Sequence, residues 1–187
     1  MKTSSSFILR CGLILLASLA FLTSGRAQSD KGKPDKPDPT AEVFQNAKAF
    51  AIAGNFNAVE AVLTAHVSEK RNTFAWHYAS ARLFTRLTIA LGADRQLAAQ
   101  CAIALRALAY FAEAERLTSH PGTLSNMRTT QGMLYERYLN NPVAAKACYE
   151  SAVAAAGGNN LAAEAVGRLK RSEENEQARN GRKPAGG

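Results

Sequence analysis

Along most of the chain, apolar side chains recur at three- and four-residue spacing, the period of one helix face rather than the two-residue alternation of a strand. The pattern predicts a first helix with Asp38 or Thr40 as N-cap and Pro39 in the first turn. Val43, Phe44, Ala47, Phe50 and Ala51 form its apolar face. Gly54-Asn55 should end it, glycine supplying a left-handed C-cap. A second helix is predicted over 57–68, carried by Val59, Val62, Leu63 and Ala65, and a third over 73–91, closed by Gly92. Asp94 is expected to cap a fourth that runs to about Leu117 with Leu97, Cys101, Ile103, Leu105, Leu108 and Phe111 on its face. After the turn at Ser119-His120-Pro121-Gly122, further helices are predicted over 124–139, over 142–156 behind an Asn141 cap, and from Leu161 to about Arg171. Residues 172–179 are polar on all sides, and 180–187 read as a disordered tail. Short turns between such helices make antiparallel hairpins. The expected fold is therefore all-α, about three hairpins and a C-terminal capping helix spanning 40–171.

Composition agrees with this class. Alanine fills about a quarter of the positions from Ala41 to Val166, and alanine favours helices and disfavours strands. Three cysteines in 187 residues exclude a disulfide-built mini-protein. Cys101 and Cys148 read either as a disulfide pair or as two small side chains within helical patterns.

The first 27 residues have the pattern of a signal peptide. Lys2 and Arg10 precede an apolar run of twelve residues, too short to cross a bilayer comfortably, and Gly25 and Ala27 fit a cleavage site after Ala27. The style of the leader suggests a bacterium, and the expected location is the periplasm or the cell exterior. Residues 28–39, with Pro34, Pro37 and Pro39 among Lys and Asp, read as a flexible linker. No segment after the leader reads as long and apolar enough to span a membrane. The formal net charge is +8, of which the leader contributes Lys2, Arg10 and Arg26. That balance permits binding to an acidic partner, anionic lipid or nucleic acid, but aromatic stacking platforms are few, so nucleic acid is not expected.

Two hairpins share a finer pattern. Ala47, Phe50, Gly54 and Phe56 stand at places 8, 11, 15 and 17 of a 34-residue unit. Gly132, Tyr135, Ala145, Tyr149 and Ala152 stand at 8, 11, 20, 24 and 27, with one extra loop residue. This resembles the tetratricopeptide repeat, and the stretch QGMLYERYLNNPVAAKACYESA also resembles the related Sel1-type repeat. The middle pair of helices fits poorly, with Thr85 and Thr88 at places 8 and 11. The resemblance implies a right-handed superhelix of hairpins and a scaffold role, binding a protein or peptide on its concave face. In its register that face is lined by Ala41, Phe44, Lys48 and Ala51, by Ala79, Arg82, Arg86 and Ile89, and by Asn126, Thr129, Met133 and Glu136. Lys48, Arg82, Arg86 and Asn126 are the candidate partner-binding residues. Arg82 and Arg86, one turn apart, can hold a carboxylate together.

The sequence gives no pattern for catalysis. His66, His77 and His120 stand far apart and lack metal-ligand spacing. No phosphate-binding glycine loop and no Gly-x-Ser-x-Gly elbow occurs. Glu113 and Glu115 are expected to face solvent, and Glu173, Glu174 and Glu176 to pair along their own helix. A non-enzyme without metal or cofactor is expected. The alternative reading is a helical structural protein that self-associates or lies on an anionic envelope surface through Arg168, Lys170, Arg171, Arg179, Arg182 and Lys183.

Overall fold

The computed structural model describes residues 39–181. The predicted signal peptide, nearly all of the linker and the end of the tail lie outside the described residues. The fold is all-α. Seven helices occur among the described residues: α1 (Pro39–Ile52), α2 (Phe56–Ala65), α3 (Phe74–Ala93), α4 (Leu97–Arg116), α5 (Pro121–Arg137), α6 (Pro142–Ala155) and α7 (Asn160–Gly181).

Local chemistry sets most of the starts. Asn55, Thr73, His120, Asn141 and Asn159 each turn a side-chain acceptor onto a backbone N–H of the first turn that follows. Pro121 and Pro142 take first-turn places, where the missing N–H costs nothing. Gly54 adopts φ +74°, the left-handed geometry expected at the end of α1.

The α3–α4 connection differs from the expectation. Gly92 lies inside α3, and Asp94 is the residue after its last turn, not a cap for α4. The left-handed position is Arg95, at φ 59°. Gln96 precedes α4 without a side-chain cap bond. Gly92 serves packing instead: a Cβ there would stand 2.1 Å from the amide nitrogen of Gln100. At the far end, Asn180 belongs to α7, not to a disordered tail.

The helices pair as antiparallel neighbours in sequence: α1 with α2, α3 with α4, α5 with α6, and α7 against α6. One apolar core runs through α1 to α5. It includes Ala47, Val59, Leu63, Phe84, Leu87, Ile103, Phe111, Met127 and Leu134. Burying a side chain such as Phe84 or Phe111 stabilises the fold by about 2–3 kcal/mol. A second core joins Ala145, Tyr149 and Ala152 of α6 to Ala162, Ala165 and Leu169 of α7, and Tyr135 packs against both cores. Thr85 and Thr88 are tolerated inside because each hydroxyl donates to the carbonyl four residues back, Ala81 and Phe84, at 2.8 and 2.9 Å.

Several apolar positions expected on buried helix faces lie at the surface instead. Phe50, Leu97 and Leu105 are exposed. On α4 the buried stripe is Ile103, Ala104, Ala107, Leu108, Phe111 and Ala114, so alanines carry part of the face that leucine spacing suggested. By length and composition α4 could cross a membrane, which corrects the reading that no segment after the leader qualifies. In this fold it is a core helix with Arg106, Glu113, Glu115 and Arg116 along it.

Candidate functional site

The predicted binding residues divide between two places. On α1 and α3 they come together. Arg82 and Arg86 are exposed, one turn apart, and the Arg86 guanidinium lies over the Phe44 ring at 4.8 Å. Arg82 lies over Tyr78 at 5.9 Å. These rings hold the two cations by cation–π attraction, and neither arginine has an ion-pair partner among the described residues. Ile89 continues the line and is also exposed. Arg82 and Arg86 border a crevice of about 250 Å³ whose other wall is the turn at His66 to Glu69. Lys48 is half-buried and pairs with Asp94, so its charge is already engaged within the fold.

Asn126 stands elsewhere. It borders a crevice of about 360 Å³ with Ser125, Asn159 and Leu161, where α5 meets the turn before α7. Thr129 and Met133 follow it along α5 and line a wider cleft of about 960 Å³, whose far wall is Leu161, Gly167, Arg168 and Arg171 of α7. Glu136, in the same register, is not available to a ligand in the way Thr129 and Met133 are. Arg168 donates to it through both terminal nitrogens, one at 3.0 Å, and the Tyr149 hydroxyl donates to it at 3.0 Å. The Arg168 bond, helped by Tyr149 and opposed by burial, holds the Glu136 carboxyl below its ordinary value.

The carboxylates considered for chemistry have structural partners. Glu113 pairs with Arg116 one turn on. Glu115 is half-buried, not solvent-facing, and accepts from Arg128 at 3.3 Å and from Gln131 at 2.9 Å, tying α4 to α5. Glu173 pairs with Lys146 of α6 at 2.6 Å instead of with its own helix. Cys101 and Cys148 are both free and half-buried, the first with its thiol on the Tyr138 carbonyl and the second against Gln131. Burial pushes the Cys148 thiol up. No group of three or more His, Cys, Asp or Glu able to hold a metal occurs among the described residues.

One cleft was not anticipated. Between α2, the start of α3 and α4 lies a space of about 620 Å³, bordered by Glu60, Arg71, Trp76, His77, Arg106 and Tyr110. Glu60 accepts from Arg106 at 2.7 Å and from the Tyr110 hydroxyl at 2.8 Å. Burial and the Glu60 carboxylate push the Tyr110 phenol above its ordinary value. Arg71 lies over the Trp76 ring at 5.7 Å. Arg106 and Tyr110 are four apart on one helix, a spacing visible in the sequence. Their meeting with Glu60 and Arg71 depends on which helices pack, which spacing does not reveal.

No protein-family model matches the chain, and no curated protein and no solved structure matches it.

Proposed function

We propose that the chain is an exported, non-catalytic scaffold, a tetratricopeptide-like array of helical hairpins that binds an acidic protein or peptide on its concave surface. The observation that carries this reading is the pair Arg82 and Arg86. They are exposed, a turn apart and backed by the rings of Tyr78 and Phe44, with no carboxylate among the described residues paired with them. Two guanidinium groups held in this way can take one carboxylate between them. A separate cleft between α5 and α7, bordered by Thr129 and Met133, offers a polar and an apolar contact to an extended chain. The small residues of the repeat pattern, Ala47, Gly132, Ala145 and Ala152, are all buried, which supports the hairpin reading on packing grounds.

The envelope-surface reading draws on the basic end of the chain. Arg168 and Lys170 are committed to Glu136 and Glu150, so fewer cations remain free there for a membrane. The discriminating experiment is a pull-down from an envelope extract with the chain from residue 28 onward, against its Arg82→Glu/Arg86→Glu variant. A protein retained by the parent and lost by the folded variant supports the scaffold. Equal retention by both rejects the arginine pair as the site. Vesicle binding that disappears at high salt, with no protein retained, favours the surface reading.

A further inference from the structure

We infer that the cleft between α2, α3 and α4 is a second binding site, independent of the Arg82–Arg86 face, and that it takes a small organic acid: one carboxylate on a flat or apolar body. Its volume of about 620 Å³ lies within the range of small-molecule sites, roughly 300–1,000 Å³. Two glutamates and two arginines border it, Glu60, Glu113, Arg71 and Arg106, and both glutamates already have partners. Glu60 is matched by Arg106 at 2.7 Å, and Glu113 at the rim by Arg116 at 3.2 Å. Arg71 has no ion-pair partner among the described residues. One unpaired guanidinium therefore borders the cleft, next to a second that spends a single nitrogen on Glu60.

The remaining wall suits an apolar body. Trp76 and Tyr110 meet edge to face at 5.6 Å, and Ala61 and Ala109 leave open space beside them. A cationic ligand is disfavoured because Arg71 already covers the Trp76 ring and the Tyr110 ring is stacked on Phe84 at 5.2 Å. Asn57 and Asn72 add neutral hydrogen-bonding groups at the border. The site is also preorganised. Thr73 caps α3 through Trp76 N–H, and the Arg106–Glu60–Tyr110 bonds fix the opposite wall before any ligand arrives.

Trp76 is the single tryptophan of the chain, so its emission reports on the cleft. The test titrates the full chain with phenylacetate, with its neutral analogue phenylacetamide and with inorganic phosphate, reading Trp76 emission and heat of binding together. Saturable binding of phenylacetate is expected, with at least about ten-fold weaker binding of phenylacetamide and of the Arg71→Gln variant, as for loss of a charge-assisted hydrogen bond. Arg71 is exposed, so that variant should keep its fold, and circular dichroism checks it. Ala109→Leu fills the cleft from an exposed helical position and should abolish binding with helicity intact. Arg95→Gln removes the same charge elsewhere and should bind like the parent. Absence of saturation, equal binding by Arg71→Gln, or equal binding of phosphate would each overturn the organic-acid site. None of these outcomes touches the Arg82–Arg86 proposal.

Discussion

Gly132 of α5 lies directly beneath the ring of Tyr149 of α6: a Cβ on Gly132 would stand 2.6–2.9 Å from three of its ring carbons. The ring cannot easily yield. Tyr149 is buried, and its hydroxyl is anchored on Glu136. Glycine here permits the α5–α6 approach and couples the second core to α5. Alanine at this place would gain about 1 kcal/mol in helix propensity and lose about 1–3 kcal/mol to overpacking. Gly132→Ala is expected to destabilise by about 1 kcal/mol, seen as a fall in Tm of roughly 3 °C. A double-mutant cycle with Tyr149→Leu should show strong coupling, because the smaller side chain removes the clash. Gly92→Ala provides the contrast. There the obstructing atom is the movable end of Gln100, whose side-chain amide donates to the Thr88 carbonyl at 3.2 Å. Loss of that bond roughly cancels the propensity gain, so Tm should hardly move.

Gly54 and Gly92 show what the sequence could and could not convey. Gly54 was legible as a helix stop because left-handed geometry is a local property. Gly92 had the same appearance after an apolar run, yet it lies inside a helix because a side chain eight residues further on passes over it. Helix number and hairpin pairing were legible from period and caps. The inward face of α4 was legible only in part: Ile103, Leu108 and Phe111 are buried as their spacing indicates, whereas Leu97 and Leu105 face solvent and alanines complete the buried stripe. The site shows the same division. Arg82 and Arg86 share a face through spacing alone, whereas Lys48 is engaged by Asp94 and Asn126 stands with Asn159. Those partners depend on tertiary packing.

Acid should weaken the α5–α7 link. Glu136 is held below its ordinary value chiefly by Arg168. Its stabilising contribution is therefore complete above the unfolded glutamate value, about 4.3. It is lost as pH falls through the lower folded value. Arg168 is largely exposed, so screening limits the effect to about 1 kcal/mol or less. Unfolding free energies of the parent and Glu136→Gln should differ by a constant amount from pH 5 to 7 and converge below pH 4. A difference that persists unchanged at pH 3 would show that the carboxylate's charge plays no part.

Cys101 and Cys148 should remain thiols even without reductant. Each sulfur has its own neighbour, the Tyr138 carbonyl or Gln131, and the two are not joined. In a Cys11→Ser background, alkylation after unfolding should add two groups per chain. Finding none would indicate a disulfide and a different packing of α4 against α6. In the native state Cys148 should react slowly at pH 8, because burial raises its thiol and little thiolate is present. Its rate should keep rising beyond the pH at which an ordinary thiol levels off.

Asn159 joins the end of the α5–α6 hairpin to α7 through both ends of its amide. Its nitrogen donates to the hydroxyls of Ser125 and Thr129, each at 2.8 Å, and its oxygen accepts from Ala162 N–H at 3.1 Å, capping α7. The two hydroxyls have already given their protons away, Ser125 to the Ala152 carbonyl and Thr129 to the Ser125 carbonyl. They can therefore only accept from Asn159. Asn159→Ala removes the cap and leaves both oxygens short of a donor, with an expected cost of about 2–3 kcal/mol. Asn159→Asp keeps the cap, adds a charge that suits a helix N-terminus, and replaces the donor by a second acceptor. Urea unfolding separates the two roles. If the cap dominates, Asp approaches the parent; if the donor dominates, it falls close to Ala. The burial of the Ser125 hydroxyl and the two bonds that meet at it favour the donor. Asp is therefore expected to recover only about 1 kcal/mol of the loss, the usual worth of an N-cap.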